Sequence, residues 1–532
     1  MPAASPSGSV WRAVAAATVA AGLGCAGLGS GDGAAQPAPA APGDAEVSLS
    51  VVAGRPTDHT VTLQVVSGAD AAVAAAWSLD GASWQPGPTV ELRAGVGSPL
   101  LLDGLPVDAA VRYRLQVAGA VAATGTVHTQ RRPGSTFVFG VQGDTHPERV
   151  GRMYDAALYR ANLANVAAAH PDFYVLLGDD FSIEPLIRTG RASADTVQAV
   201  YDAHRSMLAQ VGHSSAIYLV NGNHEQAAAY LLDGTESNPA VWAGRARNQA
   251  FALPAPDGFY TGDAEPVPGV GLLRDYYAWT WGDALFVVLD PYWHSPGPVD
   301  TDARAEAPDG GGGGDAVAGW GADGRGGRGP GGGGRPGGGG PPAGRGAGPG
   351  ERPAADAHRA GGRDGWAATL GEAQYRWLAQ TLSGSNARWK FVFAHHVNGT
   401  GRGGAAIADL YEWGGHDRNG ADTFARHRPG WPEPIHALMA RTGVTVFFQG
   451  HDHLYAREVR DGVIYQSVPN PADPTFQAFH ADAYPGADVA PNSGHLRVSV
   501  GPDAVELAYI RAARPADPGP NGEVVRLERV TR

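Results

Sequence analysis

Residues 136–146 read Thr-Phe-Val-Phe-Gly-Val-Gln-Gly-Asp-Thr-His, an apolar, β-rich run that breaks at glycine and delivers an aspartate and a histidine. The run predicts a buried strand, and the break predicts a turn that presents ligand-type side chains at the strand's end. Four more stretches repeat the pattern. Phe173-Tyr174-Val175-Leu176-Leu177 leads into Gly178-Asp179-Asp180, and Ile217-Tyr218-Leu219-Val220 leads into Gly222-Asn223-His224-Glu225. Lys390-Phe391-Val392-Phe393 leads into Ala394-His395-His396, and Thr445-Val446-Phe447-Phe448 leads into Gly450-His451-Asp452-His453.

One such motif means little, since a Gly-Asp after an apolar run is often only a turn and two histidines one residue apart often only share a strand face. Five together supply carboxylate, imidazole and amide donors and no thiolate. That mixture suits two hard-to-borderline metal ions rather than a structural zinc knot.

In order and spacing the motifs resemble the signature of the calcineurin-like metallophosphoesterase family: Asp-x-His, Gly-Asp, Gly-Asn-His-Glu/Asp, His, Gly-His-x-His. The resemblance covers residues 134–512 with one large interruption. It implies an α/β fold, a four-layer α/β/β/α sandwich with its ligands on loops at strand ends. It also implies a site residue by residue. Asp144, His146 and His453 would hold one metal, Asp179 would bridge, and Asn223, His395 and His451 would complete the second. The two ions would be divalent or trivalent: iron, manganese or zinc. His224 would bind neither; it would face the scissile phosphate and protonate the leaving oxygen. The reaction implied is hydrolysis of a phosphate ester by in-line attack of a metal-bridging hydroxide.

Other residues near the motifs read as supporting groups. His396 is expected beside the metals rather than on them, Glu225 in local hydrogen bonds, and Asp180 behind the site or in a turn. Arg149, at an expected helix start, is either a phosphate contact or a solvated arginine. Many relatives orient the catalytic histidine with an aspartate three residues after the bridging one; here that position is Ser182, so the orienting group is open. Purple acid phosphatases place a metal-binding tyrosine there and lack a histidine in the first motif. Ser182 and His146 set this chain apart from them, although its domain layout resembles theirs.

Outside the motifs, residues 45–131 alternate short β-rich runs with turns, such as Thr60-Val-Thr-Leu-Gln-Val-Val and Val111-Arg-Tyr-Arg-Leu-Gln-Val. They predict a small all-β sandwich ahead of the catalytic domain. Leu105-Pro106 before Tyr113 resembles the end of a fibronectin type III domain, and a spacer or docking role is expected. Helical spacing is expected over 149–169, 371–382 and 434–441, a closing hairpin around Gly501, and a tail over 513–532. Residues 308–364 are dominated by glycine and form an insertion too poor in apolar side chains to fold.

Residues 1–32 combine Arg12 with an alanine-rich apolar stretch that ends near Cys25, the chain's one cysteine, and 33–44 form a Pro/Ala-rich linker. The first segment reads as an export signal, too short and weakly apolar for a membrane span. Two fates stay open: lipidation of Cys25, which would anchor the protein on a membrane, or simple cleavage nearby. Gly22 stands where a lipoprotein signal prefers leucine. The expected location is outside the cytoplasm: secreted, periplasmic or lipid-anchored at a bacterial cell envelope. The formal charge of −13 argues against a general nucleic-acid binder. The leading reading is an exported phosphatase. The alternatives are a phosphodiesterase acting on nucleotides or lipid head groups, and a surface binding protein with a relic site.

Overall fold

A computed structural model describes residues 47–299, 364–397 and 401–532 of the 532-residue chain. The expected signal, linker and Cys25 lie outside the described residues, as does almost all of the glycine-rich insertion. Among the described residues no helix is long and apolar enough to cross a membrane.

The fold is mixed α/β. Two small sheets open it. Leu49–Gly54, Val61–Ser67 and Ser98–Leu102 form a three-stranded antiparallel sheet; Gln85–Leu92, Ala71–Ser78, Ala110–Val117 and Ala120–His128 form a four-stranded one. Their alternate residues face each other in one core, with Val61, Leu63, Val65 and Leu100 meeting Val73, Val111, Tyr113 and Leu115.

Two larger sheets follow. In the first, the central strand Phe137–Gln142 pairs in parallel with Phe173–Leu176, which pairs in parallel with Ala216–Leu219. On the other side it meets the hairpin Gly494–Val500 and Ala504–Arg511, as the Gly501 turn predicts. Residues 513–532 are not a bare tail: Val524–Thr531 pairs with Ala504–Arg511 as the sheet's last strand. Its alternation of valine, leucine and charged residues is a half-buried strand pattern that the sequence reading passed over. In the second sheet Ala284–Val288, Trp389–Phe393, Val446–Gln449 and Val463–Ser467 run parallel, flanked by antiparallel neighbours.

The inward faces of these two sheets share one core. Phe139 stacks on Phe173 at 5.3 Å between centroids and meets Phe286 and Phe391 edge-on at 5.2 and 5.4 Å. The opposite face of the first sheet buries Tyr174, Leu176 and Ile217 against Ala156–Ala168, Ala194–Gly212 and Pro239–Ala250. The opposite face of the second buries Val287, Val392 and Phe447 against Gly371–Gly384 and Ile435–Arg441. Helices were expected near three of these positions. The first starts later than expected, at Ala156 rather than at 149, because Asp155 caps it by accepting from Ala157 and Leu158 N–H, each at 2.9 Å.

Parallel strands end on the same edge, so the turns after Gln142, Leu176 and Leu219 emerge side by side. The turns after Phe393 and Gln449 do the same on the facing sheet. This topology gathers the five motifs.

Candidate metal centre

The close approach of the turns dictates their backbone. A Cβ on Gly222 would lie 2.2 Å from Asp179 Oδ1, and one on Gly450 would lie 2.3 Å from Asp144 Oδ1, so only glycine fits. Four of the ligand-type residues themselves adopt left-handed backbone: His146 (φ 47°), Asp179 (φ 58°), His451 (φ 66°) and His453 (φ 54°). Non-glycine residues rarely hold that conformation unless the surroundings impose it, and such strain concentrates at functional sites.

Glu225 is one source of the imposition. Its carboxylate accepts backbone N–H groups from Asp179, Asp180, Phe181 and Gly222 at 2.8–2.9 Å, clamping the second and third turns together. This is local hydrogen bonding, as expected of it, but it spans two motifs. Asp180 turns away from the cleft and accepts from Gln142 Nε2 and Thr145 Oγ at 2.8 and 2.7 Å.

All eight residues singled out by the motifs meet at one place. Asp144 is fully buried and receives His451 N–H at 2.8 Å; His453 Nε2 lies 3.0 Å from its Oδ2. Asp179 Oδ2 is 3.2 Å from His395 Nε2, 3.7 Å from His146 Nε2 and 3.9 Å from His224 Nε2. Its other oxygen accepts His224 N–H at 2.9 Å. Asn223 Oδ1 lies 3.1 Å from His395 Nε2.

These donors face one another more than they pair. His146 Nε2 and His453 Nε2 are 3.2 Å apart, and His451 Nδ1 and His395 Nε2 are 3.1 Å apart. His395 gives its Nδ1 proton to Leu177 carbonyl at 2.7 Å, so its Nε2 lone pair points inward. Ligand atoms fall within 4.8 Å of one another in three groups: Asp144, Asp179, His395 and His451; Asp144, His146 and His453; and His146, Asp179 and His224. Imidazole and carboxylate atoms gathered this closely fit a cation among them. Asp144 and Asp179 each belong to two of these groups.

Within the cluster, the carboxylates draw positive charge onto neighbouring histidines. Burial acts to raise the Asp144 carboxyl, but His395 and His453 outweigh it and hold it at about 2. Burial likewise opposes ionisation of Asp179, and His395 and His224 prevail to hold it well below the carboxylate range. His395, desolvated but flanked by Asp179 and Asp144, is pushed up to about 10. His396 is buried beyond the cluster: its Nδ1 donates to Val397 carbonyl at 2.9 Å, and burial holds it at about 3, a neutral ring.

Three more residues border the cleft; Glu184 and Arg402 were not legible in the motifs, whereas Arg149 was left between a phosphate contact and a solvated arginine. Glu184 Oε2 lies 2.6 Å from His224 Nδ1, filling the orienting place that Ser182 leaves vacant. Arg149, in the loop before its helix, reaches His224 Nε2 at 3.1 Å. Arg402 is anchored on His451 carbonyl and on Asp452 at 3.2 Å. The cleft they border has a volume of about 320 Å³, with Ala227, Tyr230, Tyr292, Pro298 and Val299 on its apolar side.

A scan against models of protein families finds no match, and a search of curated proteins finds none either. Among solved structures, GAP50, described as the anchor in the inner membrane complex of Plasmodium, aligns over 74% of this chain and 89% of its own at 8% identity, with a TM-score of 0.36, too loose a likeness to bear on the fold. The structure of PhoD aligns over 91% of this chain and 88% of its own with a TM-score of 0.55 at 14% identity, so the chain shares the PhoD-like fold along nearly its whole length.

Proposed function

We propose that this chain is a dinuclear metal-dependent phosphoesterase, and a phosphatase in the first instance. The observation that carries the reading is the buried convergence of Asp144, His146, Asp179, His395, His451 and His453, with Asn223 and His224 at its edge. In this reading Asp144, His146 and His453 would hold one ion, Asn223, His395 and His451 would hold the other, and Asp179 would serve both. When bound, the ions supply Lewis acidity and a water of lowered pKa. The chain's own residues do the rest. Burial disfavours a charged His224, but Asp179 and Glu184 outweigh it and raise the ring to about 9. The imidazolium would donate its Nδ1 proton to Glu184 in a hydrogen bond and present its Nε2 proton to the leaving oxygen. Arg149 stands beside that nitrogen to take up phosphoryl charge.

The test is a panel of phosphate mono- and diesters assayed with protein loaded with manganese, zinc or iron. Absence of hydrolysis with every metal removes the reading, and the preferred ester separates phosphatase from diesterase. Asp179→Asn is expected to lose metal and activity together; a variant that keeps two ions per chain refutes the bridging role.

We further infer a four-layer α/β/β/α arrangement preceded by a fibronectin type III-like domain, supported by the two sheets with their shared and helix-covered cores. An experimental structure with another layer order discards it. Export, inferred from residues 1–32, is checked by fractionating cells and by mass spectrometry of the mature chain around Cys25.

A further inference from the structure

Tyr292 stands on the wall of the metal cleft and has no place in the motifs. It is 4% exposed, and among the described residues its hydroxyl has no hydrogen-bond partner. A buried hydroxyl left unpaired costs about 1–3 kcal/mol, so such groups in folded proteins call for an explanation. The same cleft wall carries Asp179, Asn223, His224, His451 and His453.

The ring cannot swing away to find a partner elsewhere. Tyr292 N–H donates to Asp290 Oδ1 at 2.7 Å, and Asp290 is itself fixed by Asn221 Nδ2 at 2.7 Å. Gln374 grips the Asp290 backbone from both sides, accepting its N–H at 2.8 Å and donating to its carbonyl at 2.7 Å. The ring lies edge-on to His395 and His396, with centroids 6.1 and 5.6 Å away, and packs with Val299 and Ala368. A rigid, neutral donor thus sits among residues whose side chains are mostly ligand-type acceptors and cations, and the group missing from its hydrogen-bond inventory is an acceptor.

We propose that Tyr292 is a substrate-contacting residue whose hydroxyl donates to a non-bridging oxygen of the bound phosphoryl group. This rests on the phosphoesterase reading above. A preorganised donor aimed at an oxygen that gains charge in the transition state acts as part of an oxyanion site. It complements Arg149, which borders the same cleft beside His224. The competing account is an internal bridge, by water, from the Tyr292 hydroxyl to His396 Nε2, which also lacks a partner. That account gives the hydroxyl no part in substrate binding.

Tyr292→Phe separates them, because phenylalanine fills the same space and removes only the oxygen. The full-length variant is compared with the parent for ions per chain, kcat/KM on an aryl phosphate monoester, affinity of the metal-loaded protein for inorganic phosphate, and urea midpoint of the metal-free protein. Hydrogen bonds to charged groups predict a kcat/KM lower by roughly 10- to 100-fold and phosphate binding weakened in the same direction. Ion content and midpoint should stay unchanged. Kinetics and phosphate affinity both within twofold of the parent overturn the proposal. So does loss of an ion, which makes Tyr292 a metal ligand instead. A parent protein that binds phosphate yet hydrolyses no ester refutes the phosphoesterase reading alone, and the effect of Tyr292→Phe on phosphate affinity then decides this one. A parent that binds no phosphate removes both.

Discussion

Glu184 and His224 show how one side chain sets the chemistry of another. Their 2.6 Å contact occupies His224 Nδ1 and, with the Asp179 charge, favours the protonated ring, which keeps a proton on Nε2 toward the cleft. Removing the histidine removes a general acid, so His224→Ala should keep both ions while slowing turnover by roughly a hundredfold or more. Glu184→Ala should also keep both ions but slow turnover only about tenfold, because the carboxylate is 40% exposed and water screens what it contributes. Glu184→Asp or Gln should restore part of the loss; metal loss in either variant would recast the pair as structural. A second residue-scale prediction concerns His495, which is 1% exposed, bonded to Asn162 Oδ1 at 2.9 Å and held at about 3 by burial. Its folded pKa lies below the unfolded value, so below about pH 6.5 the unfolded chain binds a proton that the native chain refuses. Stability therefore falls with pH through that window, by about 1.4 kcal/mol per pH unit for this one group. Urea titrations of metal-free protein between pH 7 and 4.5 should give a visibly flatter acid slope for His495→Gln. An identical slope would mean that His495 is protonated in the native state.

The elements that place the site were readable where local chemistry dictates them. Apolar runs such as Phe137-Val-Phe and Phe391-Val-Phe could only be buried strands, and the glycines after them could only be turns, so the eight motif residues were found together. Glu184, Arg402 and Tyr292 were not found, because they sit in turns and loops whose paths are decided by packing far along the chain. Tyr292, for instance, is set by Asp290 bonding Asn221, 69 residues away. The strand Val524–Thr531 was missed for a different reason: it follows a Pro/Gly-rich turn at the chain's end and covers only one face. The spacing over 149–169 overextends the helix Ala156–Ala168 because nothing local weighs the Asp155 cap against the six polar and apolar residues before it. That cap makes a prediction. Asp155→Ala removes the acceptor for two helix N–H groups and the 30%-exposed partner of Arg514, and should cost about 1–2 kcal/mol in urea unfolding. No measurable change would place the helix start elsewhere.

At the scale of the molecule, a spacer or docking role is expected of the opening sandwich, and it is packed into one compact unit with the larger sheets. Tyr113 hydroxyl donates to His213 carbonyl at 2.6 Å, and Gln64 Nε2 donates to Gln249 carbonyl at 2.7 Å. Gly97 lies so near that carbonyl that a Cβ would fall 2.0 Å from it, and Val52 belongs to the core under the first large sheet. Arg205, 2% exposed, is the centre of the junction. From the Ala194–Gly212 helix its guanidinium reaches Ser50 Oγ at 2.7 Å, Gln64 carbonyl at 2.7 Å and Ser50 carbonyl at 3.3 Å on the sandwich side, while its Nε holds Ala250 carbonyl at 2.8 Å. Four acceptors share one buried cation. Arg205→Met keeps most of the apolar stem and strands those acceptors, each worth about 1 kcal/mol or more when buried and unpaired. The variant should therefore lose roughly 3–5 kcal/mol, and the loss should be expressed at the junction. The parent is expected to unfold in a single calorimetric transition, because the sandwich and the catalytic part share a buried boundary. Arg205→Met should unfold at lower temperature and in two resolved steps, with bound metal protecting only the later one. A single transition shifted by less than 2 °C would show that the junction is held without Arg205.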